Sequence, residues 1–146
     1  MMSATRTHKT EPPRWGLALG AVAVIFGLLS IYSGGQVLFG AAAVRTDAGQ
    51  IVPAIVWFNF LSGFVYVLSG VQLMRWRRSG AVLAMGLAAT LLVVGGLFAF
   101  HIATGGLFEM RTVMAMLLRL SFWCLVAVMA CRALGCFHRS SLPDIR

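Results

Sequence analysis

The sequence predicts an all-α membrane protein with four transmembrane helices, and three observations predict it. The chain is 60% hydrophobic and 11% charged, whereas a soluble domain carries roughly a quarter of its residues as charges. Its apolar residues are gathered into four long runs, each at or above the ~20 residues that cross ~30 Å of hydrocarbon. Basic clusters punctuate the runs in the way cytoplasmic membrane flanks do. The net charge of +8 therefore reads as membrane flanking, and nucleic-acid binding is excluded by this distribution. The expected surroundings are the lipid bilayer, with a membrane-protein partner or a second copy of the chain as further contacts.

Residues 1–14 form a polar tail with Pro12-Pro13, followed by Arg14-Trp15, a basic residue beside an interfacial aromatic. The transmembrane domain spans 15–135. The first run, 15–44, is uncharged. Ala41-Ala42-Ala43 resembles a signal-peptide cleavage site, but the apolar stretch before it far exceeds the usual 7–15 residues, so this run is expected to stay as a helix. Small residues recur at Gly16, Gly20, Ala23, Gly27, Ser30 and Gly34. Small residues let membrane helices approach closely, so this face is expected to pack on a neighbour. Ser33-Gly34-Gly35-Gln36 is expected to loosen the outer end.

A short polar loop, 45–50, leads to the second helix at 51–74. Pro53 sits in its first turn, where a missing N–H costs little. Ser62-Gly63 and Ser69-Gly70 form a second small face. Arg75-Trp76-Arg77-Arg78 closes that helix. The third helix is expected at 81–103, with a break at Gly105-Gly106, and the fourth at 112–134, ending at Gly135. Residues 136–146 form a second polar tail.

Lys and Arg set the orientation. Nine lie on one side: Arg6, Lys9, Arg14, Arg75, Arg77, Arg78, Arg132, Arg139 and Arg146. Two, Arg45 and Arg111, lie on the other. The excess places both termini in the cytoplasm. Eleven of the twelve basic residues are Arg, a bias common in GC-rich bacterial genomes, so the bacterial inner membrane is the expected location. A gapless shift of 66 residues superposes Leu17 on Leu83, Ala18 on Ala84, Gly20 on Gly86, Ala23 on Ala89, Gly40 on Gly106, Arg45-Thr46 on Arg111-Thr112 and Trp57 on Trp123. Such a repeat implies two like-oriented helical hairpins.

The candidate ligand-binding residues are His101, Glu109, Arg111, Arg119, Asn59 and Gln36, all placed toward the outer third. Arg119 falls about seven residues into the fourth helix, roughly 10 Å below its outer end. A charge at that depth needs a partner or a route to the interface. Its structural reading is a snorkelling or helix-holding Arg; its functional reading is a contact to an anion or a quinone head group. His101 reads either as a packing residue or as a proton relay, quinone contact or metal ligand. Glu109 and Arg111, two apart, do not face each other on a helix, and Glu109 suits a helix N-terminus. Asn59 reads as interhelical glue.

No metal site and no catalytic residues are assigned. Cys131, Cys136 and His138 fit no strong zinc spacing. His8 and His138 lie a membrane away from His101, so one chain holds no bis-His haem. Cys124 and Cys131 read as small apolar residues, and three cysteines in or after one helix make no disulfide framework. Walker, dinucleotide, nucleophile-elbow and HExxH motifs are absent from the sequence, and no cofactor can be named.

From Arg14 to about His101 the chain resembles the DoxX-like group of small four-helix bacterial membrane proteins. The residues that carry the likeness are Arg14, Gly20, the stretch Ile31 to Gly40, Val65 to Met74 with the Arg-rich turn, and His101 followed by Gly105-Gly106. The resemblance implies a subunit or accessory of a redox system, in some cases linked to sulfur or quinone chemistry. The expectation is thus a non-catalytic membrane subunit or accessory; the alternative is a small ligand-handling, quinone-binding or transporter-like protein.

Overall fold

The computed structural model describes residues 13–47, 49 and 51–135, with backbone alone at 44, 45 and 47. The tails, with Arg6, His8, Lys9, Cys136, His138, Arg139 and Arg146, lie outside the described residues, as does the Arg45 side chain. Five helices follow in order: α1 Arg14–Phe39, α2 Ala42–Asp47, α3 Pro53–Met74, α4 Arg78–Ala103 and α5 Met110–Leu134. All except α2 are long and apolar enough to cross a membrane. The fold is an all-α bundle of the multi-pass membrane type.

Helix ends follow local chemistry. Pro53 takes the first position of α3, where its fixed φ and missing N–H suit a helix start. α1 stops at Phe39 rather than running to 44, because Gly40 turns to extended backbone with its N–H on the Gln36 carbonyl. Residues 42–47, read from sequence as the end of the first helix and a loop, form the separate helix α2. The uncharged Gly40-Ala41-Ala42-Ala43 stretch gave hydropathy no way to see that break. α1 passes through Ser33-Gly34-Gly35-Gln36 as helix.

Two helices end in Schellman turns. In α4, Gly105 N–H bonds the Ile102 carbonyl and Gly106 N–H the His101 carbonyl, with Gly105 at φ +85°. In α3 the same pair of bonds runs from Trp76 to Leu73 and from Arg77 to Gln72, and Trp76 takes the left-handed conformation at φ 53°. That turn is so tight that α4 begins at once, at Arg78 rather than 81. The Trp76 ring is laid over Gly16 and meets Trp15 edge-on at 5.2 Å. Gly105→Ala is expected to lower stability by about 1–2 kcal/mol through left-handed strain; thermal unfolding in detergent reads it.

The bundle is a ring in which α1 packs on α3, α3 on α4 and α4 on α5. The α1–α3 seam is the tightest. A Cβ on Gly20 would stand 2.7 Å from the Gly70 carbonyl oxygen, and one on Gly27 would stand 2.8 Å from that of Gly63. Every small residue of the predicted α1 face (Gly16, Gly20, Ala23, Gly27, Ser30, Gly34) is buried, as are Ser62, Gly63, Ser69 and Gly70 of α3. Large residues such as Ile25, Leu29, Leu68, Val93 and Leu118 point outward. Lipid tails give no penalty for exposing them, so backbone approach rather than apolar burial decides what goes inside. Ser69 Oγ donates to the Gly80 carbonyl at 3.1 Å, tying α3 to α4 near their turn.

Two hairpins of like direction result, α1–α3 and α4–α5. The residues that the 66-residue shift superposes nevertheless occupy different settings. Gly20 is in the seam, whereas a Cβ on Gly86 would meet nothing within 4 Å. Trp57 is 44% exposed and Trp123 is 0% exposed. α4 packs closely on both α3 and α5, whereas α1 packs closely on α3 and meets α5 only through side chains, so equivalent positions face different partners.

Candidate functional site

The α1 and α5 backbones stay further apart than the other neighbouring pairs. They meet through side chains, with Phe26 and Phe122 rings 5.0 Å apart. Above this contact a cleft of about 260 Å³ opens between the two helices. Phe26, Leu29, Ser30, Tyr32 and Ser33 line it from α1, and Leu118 and Arg119 from α5. Arg119 is nine residues past Met110, so it lies about 13 Å along α5 from its start. That is deeper than the sequence estimate, because α5 begins at Met110 rather than at 112.

Behind the cleft lies the polar part of the core. α3 carries Asn59, Ser62, Tyr66 and Ser69 at helical spacing along one inward stripe, with Ser62, Tyr66 and Ser69 all buried. On α5, Trp123 follows Arg119 by four residues on the same face. The Tyr66 and Trp123 rings lie 4.8 Å apart across the centre, and Phe26 stacks on Tyr66 at 6.0 Å. The Tyr66 hydroxyl lies beside Ser62 and within electrostatic range of the Arg119 guanidinium. It makes no hydrogen bond of good geometry to either.

Four buried polar atoms here have no hydrogen-bond partner: Asn59 Oδ1, Tyr66 OH, Arg119 Nε and Trp123 Nε1. Arg119 Nε and Trp123 Nε1 are donors, Asn59 Oδ1 is an acceptor, and the Tyr66 hydroxyl can do both. An unsatisfied buried group costs about 1–3 kcal/mol, so four on the inward stripes of α3 and α5 call for an explanation. Ser33, which also lines the cleft, donates its hydroxyl to the Ser30 carbonyl at 3.4 Å.

Of the residues singled out from sequence, Arg119 and Asn59 belong to this set. Gln36 is exposed and lines a second cleft of about 370 Å³ with Ile31, Tyr32, Phe39 and Phe60, so Tyr32 borders both clefts. His101 is exposed, its Nε2 3.3 Å from the Leu107 carbonyl and its ring against Gly106. It braces the α4–α5 turn. Arg111 is exposed on the first turn of α5. Glu109 occupies the N-cap position of α5 without a side-chain cap bond, and its carboxylate rests against Gly49 of the α2–α3 connection. His101→Ala is therefore expected to change binding at Arg119 by less than about twofold, since the lost bond belongs to the turn; a binding isotherm checks this.

Sequence reading missed Tyr66 and Trp123. Their signal was the spacing, Tyr66 seven residues after Asn59 and Trp123 four after Arg119, which puts each on the face of a residue already noted. Cys131 is buried in the core and Cys124 half-buried. Among the described residues no three His, Cys, Asp or Glu side chains gather. No family model, curated protein or solved structure matches this chain.

Proposed function

We propose that this chain is a small non-catalytic accessory of a membrane system that holds a lipid-soluble molecule by a hydrogen-bond acceptor at Arg119. The observation that carries the reading is a half-buried Arg119 that lines a cleft on the bundle wall, with unpartnered polar groups of α3 and α5 beside and behind it. Hydrocarbon offers no water to satisfy them, and intramembrane ionisable residues commonly mark substrate or ion pathways. A molecule dissolved in the bilayer can enter between α1 and α5 and present its acceptor to the guanidinium. The likeness to the DoxX-like group supports a redox setting, in which a quinone carbonyl is such an acceptor. The Lys and Arg asymmetry supports both termini in the cytoplasm and an inner-membrane location.

The test is saturable binding to the purified protein in lipid nanodiscs, with decyl-ubiquinone and palmitate as probes. Binding by either, weakened at least tenfold in Arg119→Gln with helicity and elution unchanged, supports the reading. Absence of saturable binding by both probes overturns it.

A further inference from the structure

The charge of Arg119 narrows the ligand class, an inference that rests on the reading above. A guanidinium stays protonated in proteins, so this wall of the bundle carries a permanent cation. Among the described residues the titratable neighbour acting on it is Tyr66, whose phenol is neutral at physiological pH. Glu109, ten residues earlier on α5, is about 15 Å away along the helix axis. The acceptors in the orphan set, Asn59 Oδ1 and the Tyr66 hydroxyl, are both uncharged. A neutral carbonyl arriving in the cleft would satisfy one N–H and leave the positive charge uncancelled in low dielectric. A carboxylate would cancel it, and its two oxygens match the guanidinium fork.

Size and lining narrow the class further. The cleft of about 260 Å³ is below the usual range of roughly 300–1,000 Å³ for drug-sized ligands. It is large enough for a head group and leaves the rest of the ligand to the bilayer. Phe26, Leu29 and Leu118 give the chain behind the head an apolar bed. We infer that the site takes the ionised head of a single-chain carboxylate amphiphile, a long-chain fatty-acid anion, with its tail running out into the bilayer along α1.

The experiment compares palmitate with its methyl ester and with decyl-ubiquinone on the wild-type chain in nanodiscs of neutral lipid. Palmitate is expected to bind at least tenfold more tightly than the ester, and to lose that margin as pH falls and its head group is protonated. In Arg119→Gln the acid and the ester should bind alike. Equal binding of acid and ester by the wild type, or tighter binding of the quinone, overturns the inference while leaving the ligand-holding reading intact. Absence of saturable binding by all three overturns both.

Discussion

Arg119→Leu is expected to abolish ligand binding while leaving the bundle folded and at least as stable as the parent. The two halves of that result have one cause. In the free protein the guanidinium sits in the wall of the bundle with Nε unpartnered, and replacing an uncompensated buried charge by a hydrophobe of similar volume is commonly neutral or stabilising. With ligand bound, the same group is one side of a desolvated charge pair. Truncating such a pair costs about 2–5 kcal/mol, or roughly a thirtyfold to several-thousandfold loss of affinity at about 1.4 kcal/mol per tenfold. Thermal unfolding in detergent reads the first half and a nanodisc binding isotherm the second. A variant that loses its fold together with its binding would return Arg119 to the role of a helix anchor. Arg119→Lys should fall between, since it keeps the charge but not the fork.

Gly27→Ala should be among the most damaging single-methyl changes in the α1–α3 seam. Its Cβ would stand 2.8 Å from both the Gly63 carbonyl oxygen and the Val67 amide nitrogen. These are backbone atoms and cannot swing away, so α1 and α3 must separate. Overpacking typically costs about 1–3 kcal/mol, and Gly27→Leu should cost more. Gly86→Ala and Gly96→Ala are the controls. Nothing lies within 4 Å of either added methyl, and removing glycine from a helix interior gains up to about 1 kcal/mol. The four variants should therefore split in melting temperature, the Gly27 pair below the parent and the other two at or above it. If Gly27→Ala and Gly86→Ala melt together, the seam does not hold the hairpin. Because Phe26 precedes Gly27 and stacks on Tyr66, a seam that opens should also weaken binding at Arg119.

The seam was legible in the sequence because it depends on residue size and spacing alone. Gly16, Gly20, Ala23, Gly27, Ser30 and Gly34 repeat at intervals of three and four, and only one face of a helix can carry that pattern. The four spans, the break at Gly105 and the proline start of α3 were legible for similar reasons, each fixed by local chemistry. The depth of Arg119 was legible to within about two residues, since 1.5 Å per residue converts sequence position to depth.

Lateral position was not legible. His101, Glu109, Arg111, Gln36, Asn59 and Arg119 were grouped because they share a depth range. The bundle divides them: Asn59 and Arg119 face the interior, Gln36 lines a separate cleft, and His101, Glu109 and Arg111 serve the turns and their flanks. Tyr66 and Trp123, the latter read from sequence only as the partner of Trp57 in the repeat, meet at the centre because α3 and α5 present those faces to each other across the ring. In a soluble protein the polar face of a helix would have revealed its rotation. Here both faces are apolar, with small residues inside and large ones in lipid. The sequence by itself determined how deep each group lies and which helices approach closely. Only the tertiary structure decided which polar groups meet, because helix order and rotation are set by packing among neighbours and leave no hydrophobic contrast in the chain.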